Sequence, residues 1–242
     1  MARPAARSEP LVLVSGDYNP SIWQARSTPE SEFDSWLAVA QDIWGRGCFR
    51  AGQKEAMQHC ANGLPIDKSK VMGVIGCTLG GLGAIAAESG AHLDVVDCNR
   101  PLLDFLEFEG GAGKKYLKQE AWHPAHPELR ASRYHGLIVS GAFTASPDAA
   151  RFAKMLAVGL KARGQIVVDE IYAEDEAVAA LMAQGVRGPA GAPTLRPFGA
   201  VAGALTAAGF EQKWKVGVND RLIASIAAGL TNAEEIAQRL KE

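Results

Sequence analysis

Val71-Met72-Gly73-Val74-Ile75-Gly76-Cys77-Thr78-Leu79-Gly80-Gly81-Leu82-Gly83 is an apolar run that enters a glycine-rich turn and leaves it through a helix of small residues. Leu93–Val96 is a second apolar run, and it ends on Asp97, 21 residues after Gly76. Strand, glycine turn, helix, strand and acid, in that order, are the parts with which an α/β protein holds an adenosine-containing ligand. The glycines let the backbone approach the ligand, and the acid accepts from two ribose hydroxyls.

Working outward, the apolar runs Tyr116–Leu117, Gly136–Ser140 and Gln165–Val168 continue the series. Helical patterns separate the runs at Gly81–Ser89, Pro101–Phe108 and Ala149–Leu160. The second of these has Asn99 as a candidate N-cap and Pro101 early, and Gly110-Gly111 stops it. Strands joined by helices of this length need right-handed crossovers, which gives a parallel sheet covered on both faces. Past Glu170 the spacing predicts a helix over Glu174–Gln184, a loop over Gly185–Pro193 and a helix over Phe198–Ala208 closed by Gly209. Glu211–Val218 and Leu222–Ile226 read as an antiparallel pair at the sheet edge, and Asn232–Leu240 as an amphipathic helix. Upstream, Phe33, Trp36, Leu37, Ala40 and Ile43 recur at helical spacing, with Ser31 or Thr28 as the cap. That helical pattern breaks at Gly45 and Gly47, resumes over Ala51–Cys60 and ends at Asn62-Gly63. The expected division is a disordered or extended stretch over residues 1–14, a helical cap over 15–65 and an α/β domain over 66–242.

Hydrophobic residues make up 48% of the 242 residues and charged residues 21%, which provides for a sizeable core and argues against global disorder. A net charge of −2 with no basic block gives nucleic-acid binding little electrostatic support. Cys48, Cys60, Cys77 and Cys98 form no CxxC pair and no metal-like cluster with the histidines. They read as buried thiols of a reducing compartment. Leu11–Val14 is too short for a signal sequence or a membrane span, so a cytoplasmic chain with no membrane partner is expected.

Taken together, these residues resemble the class I S-adenosylmethionine-dependent methyltransferases over roughly residues 45–225, most closely the phosphoethanolamine and sarcosine/dimethylglycine types. Besides the glycine turn, the resemblance rests on Ile43-Trp44-Gly45-Arg46-Gly47 and Gly90-Ala91-His92-Leu93-Asp94-Val95-Val96-Asp97. It rests also on Leu160–Val168, similar to the family's fifth strand and the turn before it, and on Leu205-Thr206-Ala207-Ala208-Gly209-Phe210. It implies a Rossmann-like seven-stranded α/β sheet with an N-terminal helical cap and S-adenosylmethionine as cofactor. By the same resemblance, Gly76, Thr78 and Gly80 fall where the family lines the methionine end, Asp97 where it binds the ribose, and Cys98 beside the adenine. Glu120 falls where the family often places a group on the adenine amine, and Ser140 and Gly141 face the sulfonium and substrate. Three positions depart from the pattern: His135 stands before the fourth strand where the family often has Asp, and the other two lie in the glycine motif. Val74 stands where the family has an acid, and Thr78 where it has its middle glycine. A hydrogen bond to a charged group is worth about 1.5–3 kcal/mol, so losing that acid would weaken cofactor binding by about tenfold to a hundredfold.

The acid–base candidates are Tyr18, His123, His126 and His135. The more ordinary reading of each loop histidine is a ring packed on Trp122 or Pro124. His123 and His126 make no metal site without a third ligand. Asp169, Glu170, Glu174, Asp175 and Glu176 end the fifth strand, where they either attract a cationic amine or favour a helix N-terminus. Trp23, Trp36 and Trp44 read as an aromatic lid or as helix packing. The expected activity is methyl transfer to an N or O nucleophile of a small molecule. The alternative is a catalytically inactive methyltransferase fold that serves a protein partner as a binding or regulatory subunit. A weaker third reading, a nicotinamide-dependent oxidoreductase, rests on the glycine turn and Asp97 alone. The sequence leaves oligomeric state open.

Overall fold

The computed structural model describes residues 39–44, 48, 50–76, 88–97, 103, 117–121, 128–185 and 195–239. Five strands form one parallel sheet: β1 (Val71–Ile75), β2 (His92–Asp97), β3 (Leu117–Ala121), β4 (Tyr134–Ser140) and β5 (Leu160–Asp169). Their order across the sheet is β3-β2-β1-β4-β5. The chain therefore winds outward from β1 to one edge, returns to β4 beside β1, and winds out to the other edge. The inner strands β1, β2 and β4 are largely apolar because both faces of a parallel sheet are covered, whereas the edge strand β3 carries Lys118, Gln119 and Glu120. Met72, Val74, Ile75, Val95, Leu137 and Val139 are all fully buried.

The helices are α1 (Gln53–Asn62), α2 (Ala142–Ala145), α3 (Ala149–Gly159), α4 (Glu176–Gly185), α5 (Phe198–Ala207) and α6 (Asn219–Arg239); residues 39–44 are also helical. α3 starts at Asp148, whose Oδ1 accepts from the Arg151 N–H at 2.9 Å. It buries Phe152, Ala153, Met155 and Leu156 against the sheet. Phe143 meets Phe152 edge to face, with ring centroids 4.7 Å apart, which ties the chain after β4 into the same core. The turn expected around Lys161–Gly164 lies inside β5. Between the pairs Tyr134↔Leu160 and Gly136↔Gln165, two steps along β4 match five along β5, and Arg163 takes a positive φ of 64°.

The expected edge hairpin is not formed, so the sheet has five strands among the described residues rather than seven. Glu211–Val218 has no regular structure, and Leu222–Ile226 lies within α6. Five residues are too few to separate a strand from a helix by periodicity. Leu222, Ser225, Gly229 and Asn232 share one helical face, and that longer period prevails. The predicted Asn232–Leu240 helix is the far end of this same element. The first fourteen residues, most of the proposed cap and the helices expected around Gly81–Ser89 and Pro101–Phe108 lie largely outside the described residues. No described helix is long and apolar enough to cross a membrane.

Candidate functional site

In a doubly wound sheet, ligands sit beyond the carboxyl ends of the strands where the winding reverses. Here that point lies between β1 and β4. Gly76 follows β1 and Ser140 ends β4, so two of the expected cofactor-binding residues flank the reversal. Gly76 has a φ of 84°, and its N–H donates to the Val96 carbonyl at 2.9 Å. A Cβ on Gly76 would overlap the Ser140 carbonyl oxygen. Glycine is thus required twice over, by conformation and by the closeness of β4.

Asp97 ends β2, next to β1, and is 5% exposed. A carboxylate at that strand end can accept from both hydroxyls of a vicinal diol. Glu120 lies on β3 in register with Val96, one step short of Asp97. Its carboxylate is paired with Lys118. Cys98, Thr78, Gly80, Tyr18, His123 and His126 lie outside the described residues, as do Trp23 and Trp36. His135 is a correction. It lies near the start of β4, at the amino ends of the strands and so at the far end of the sheet from the crevice, where its Nδ1 accepts from the Val71 N–H at 3.0 Å and its Nε2 lies 3.0 Å from Lys161 Nζ. That placement removes it from the acid–base candidates.

At the other side of the reversal, Ser140 is tied into a charged cluster. Arg50 Nη2 donates to Ser140 Oγ at 2.8 Å and to Asp169 Oδ2 at 3.0 Å, and Ser140 Oγ donates to the same Asp169 oxygen at 3.0 Å. Sequence reasoning missed Arg50. It precedes α1 by three residues, and nothing in its local pattern marks a residue that reaches β4 and β5. Cys60, in α1, is 3% exposed; burial first, and then the Asp169 charge, pushes its thiol up to about 12, so it stays protonated.

The acids after β5 divide by role. Glu170 accepts from the Phe143 N–H at 2.9 Å and from Thr144 Oγ1 at 2.6 Å, which closes the open start of α2. Burial pushes its carboxyl up to about 7, against those hydrogen bonds. Arg196 donates to the carbonyls of Phe143 and Ser146 at 2.6 and 2.8 Å, fixing the other end of that turn. Asp175 caps α4 through the Val178 N–H at 2.8 Å, as the helix-terminus reading anticipates. No group of three or more metal-ligating side chains occurs among the described residues.

No family profile matches the chain, and no curated protein matches it by sequence. Solved structures do match by shape. A phosphoethanolamine N-methyltransferase 2 from Haemonchus contortus, in complex with S-adenosyl-L-methionine, superposes with a TM-score of 0.68 at 15% identity over 92% of this chain and 51% of its own. The chain thus spans about half the length of that enzyme. The [4+2]-cyclase SpnF gives 0.67 at 14% identity over 94% of this chain and 87% of its own. A sarcosine dimethylglycine methyltransferase structure from Galdieria sulphuraria gives 0.58 at 13% identity over 77% and 71%. The chain has the class I methyltransferase fold. Likeness at these identities fixes the architecture alone, and the cyclase shows that one architecture serves more than one chemistry.

Proposed function

We propose that this chain transfers the sulfonium methyl group of S-adenosylmethionine to an N or O nucleophile of a small molecule. The observation that carries the reading is the pairing of Gly76, in its left-handed turn at the strand reversal, with the buried Asp97 carboxylate at the next strand end. These residues fit the cofactor: an open backbone turn for its methionine end and an acceptor for its ribose. Bound there, the cofactor would supply an electrophilic methyl group on a sulfonium leaving group, for displacement by the acceptor with loss of the acceptor's proton. The chain's part is positioning. Gly76 keeps side-chain atoms out of the turn, Asp97 holds one end of the ligand, and Ser140 with Asp169 offers oxygens beside the reacting centre. An amine aligned and stripped of water there needs little further help, whereas a hydroxyl needs a base.

The alternative, a methyltransferase fold that binds a partner without catalysis, is favoured by Val74, which is fully buried where the family carries an acid. Calorimetric titration with S-adenosylmethionine and S-adenosylhomocysteine separates the two. Micromolar binding is expected, with a loss of at least about tenfold in Asp97→Ala. Equal affinity in that variant would sink the assignment. Turnover on any amine, phenol or carboxylate acceptor would exclude the inactive alternative.

A further inference from the structure

We infer that α6 is a strap that seats Arg50 on the carboxyl ends of β4 and β5. Three points on one face of α6 grip the chain on either side of Arg50. Ser225 Oγ accepts from the Gly52 N–H at 2.6 Å. Asn232 Nδ2 donates to the Ile43 carbonyl at 2.8 Å. Between them the Trp44 ring lies on Gly229, so closely that a Cβ there would overlap it. Residues 225, 229 and 232 stand four and three apart, the spacing that lines up side chains on a helix. The opposite face carries Ile223 and Leu230, 64% and 60% exposed, and takes no part in the grip.

The gripped segment bears directly on the crevice. Gly52 is the N-cap of α1, in the left-handed conformation with φ 64°, and no side chain of its own closes the cap. Its N–H bond to Ser225 therefore fixes the turn from a helix 173 residues away. Two residues before it, Arg50 spans Ser140 and Asp169. With the strap in place, the end of β5 presents an ion pair. With the strap released, it presents the Asp169 carboxylate and the Ser140 hydroxyl alone. The C-terminal helix thus sets the charge that a ligand meets at this side of the crevice, whichever reaction takes place there.

The test is dicarbonyl labelling of arginine in the full chain, read by peptide mass spectrometry beside amide exchange, with no ligand present. It therefore stands or falls separately from the methyl-transfer reading. The variants are Ser225→Ala, Asn232→Ala and the opposite-face control Ile223→Ser. Loss of one hydrogen bond eases local opening by about tenfold, so the Gly52 amide exchanges about tenfold faster in Ser225→Ala. Arg50 labels several-fold faster in both strap variants, while β1 and β4 amides keep their protection and Ile223→Ser behaves as wild type. Faster Gly52 exchange with Arg50 labelled at the wild-type rate would overturn the inference, because the strap would be broken and the seat intact. Should Ser225→Ala lose sheet protection, Asn232→Ala decides alone: Arg50 labelled at the wild-type rate in that variant overturns the inference as well.

Discussion

Glu170 is the residue whose surroundings conflict most. Burial favours its neutral form, while the Phe143 and Thr144 donors favour the carboxylate, and burial prevails to leave the group near pH 7. An acid whose folded pKa is raised keeps its proton in the folded state alone, between about 4.5 and about 7. Stability therefore declines as pH rises through that window and levels off above it. At about 1.4 kcal/mol per unit, the loss is at most about 3–4 kcal/mol. Glu170→Gln keeps an acceptor for Thr144 and removes the titration. It is expected to gain on the wild type between pH 5 and pH 8 in urea unfolding, and a pH-independent difference would count against this account. Of this chemistry the sequence offered only the position: an acid after the fifth strand. That the side chain turns inward to α2 depends on Thr144 and Phe143, 26 and 27 residues away.

Among the elements, α3 has a clear start signal, and its cap can be weighed. Asp148→Ala removes the acceptor for the Arg151 N–H and is expected to cost about 1 kcal/mol, seen as a lower urea midpoint with an unchanged slope. A variant as stable as wild type would show that the cap bond contributes nothing. Elements with local signals of this kind, such as β1, β2, β4, α3 and α5 with Gly209 behind it, were legible before any coordinates. α6 was not, because its apolar residues fit two periods over a short window. Only its grip on Trp44 and Gly52, long-range contacts that no local pattern encodes, shows which residues it buries. The bulge in β5 was hidden for a similar reason, since a glycine after Arg163 reads as a turn between elements as easily as an irregularity within one.

Across the whole molecule, stability is concentrated where the winding reverses. β1, β4 and, beside them, β2 have neighbours on both sides, and their apolar residues are almost without solvent contact. Their amides are expected to exchange slowest under native conditions, by global opening, with β3 and the exposed half of α6 exchanging earlier. Equal protection across all these elements would contradict that hierarchy. The five parallel strands, and the placement of Gly76 and Asp97 at neighbouring strand ends, could be read from the chain because contiguous motifs carry them. Of the Arg50–Ser140–Asp169 cluster, Ser140 and Asp169 could be picked out as strand-end residues but Arg50 could not, since it reaches them from 90 and 119 residues away. The same topology bears on synthesis. Met72 pairs with Gly136, 64 residues later, so β1 leaves the ribosome long before its central partner exists. At about 5–20 residues per second, the interval is on the order of 3–13 s. For that time the most apolar strand of the sheet waits with one edge bare, and a nascent chain in that state is a natural client for a chaperone.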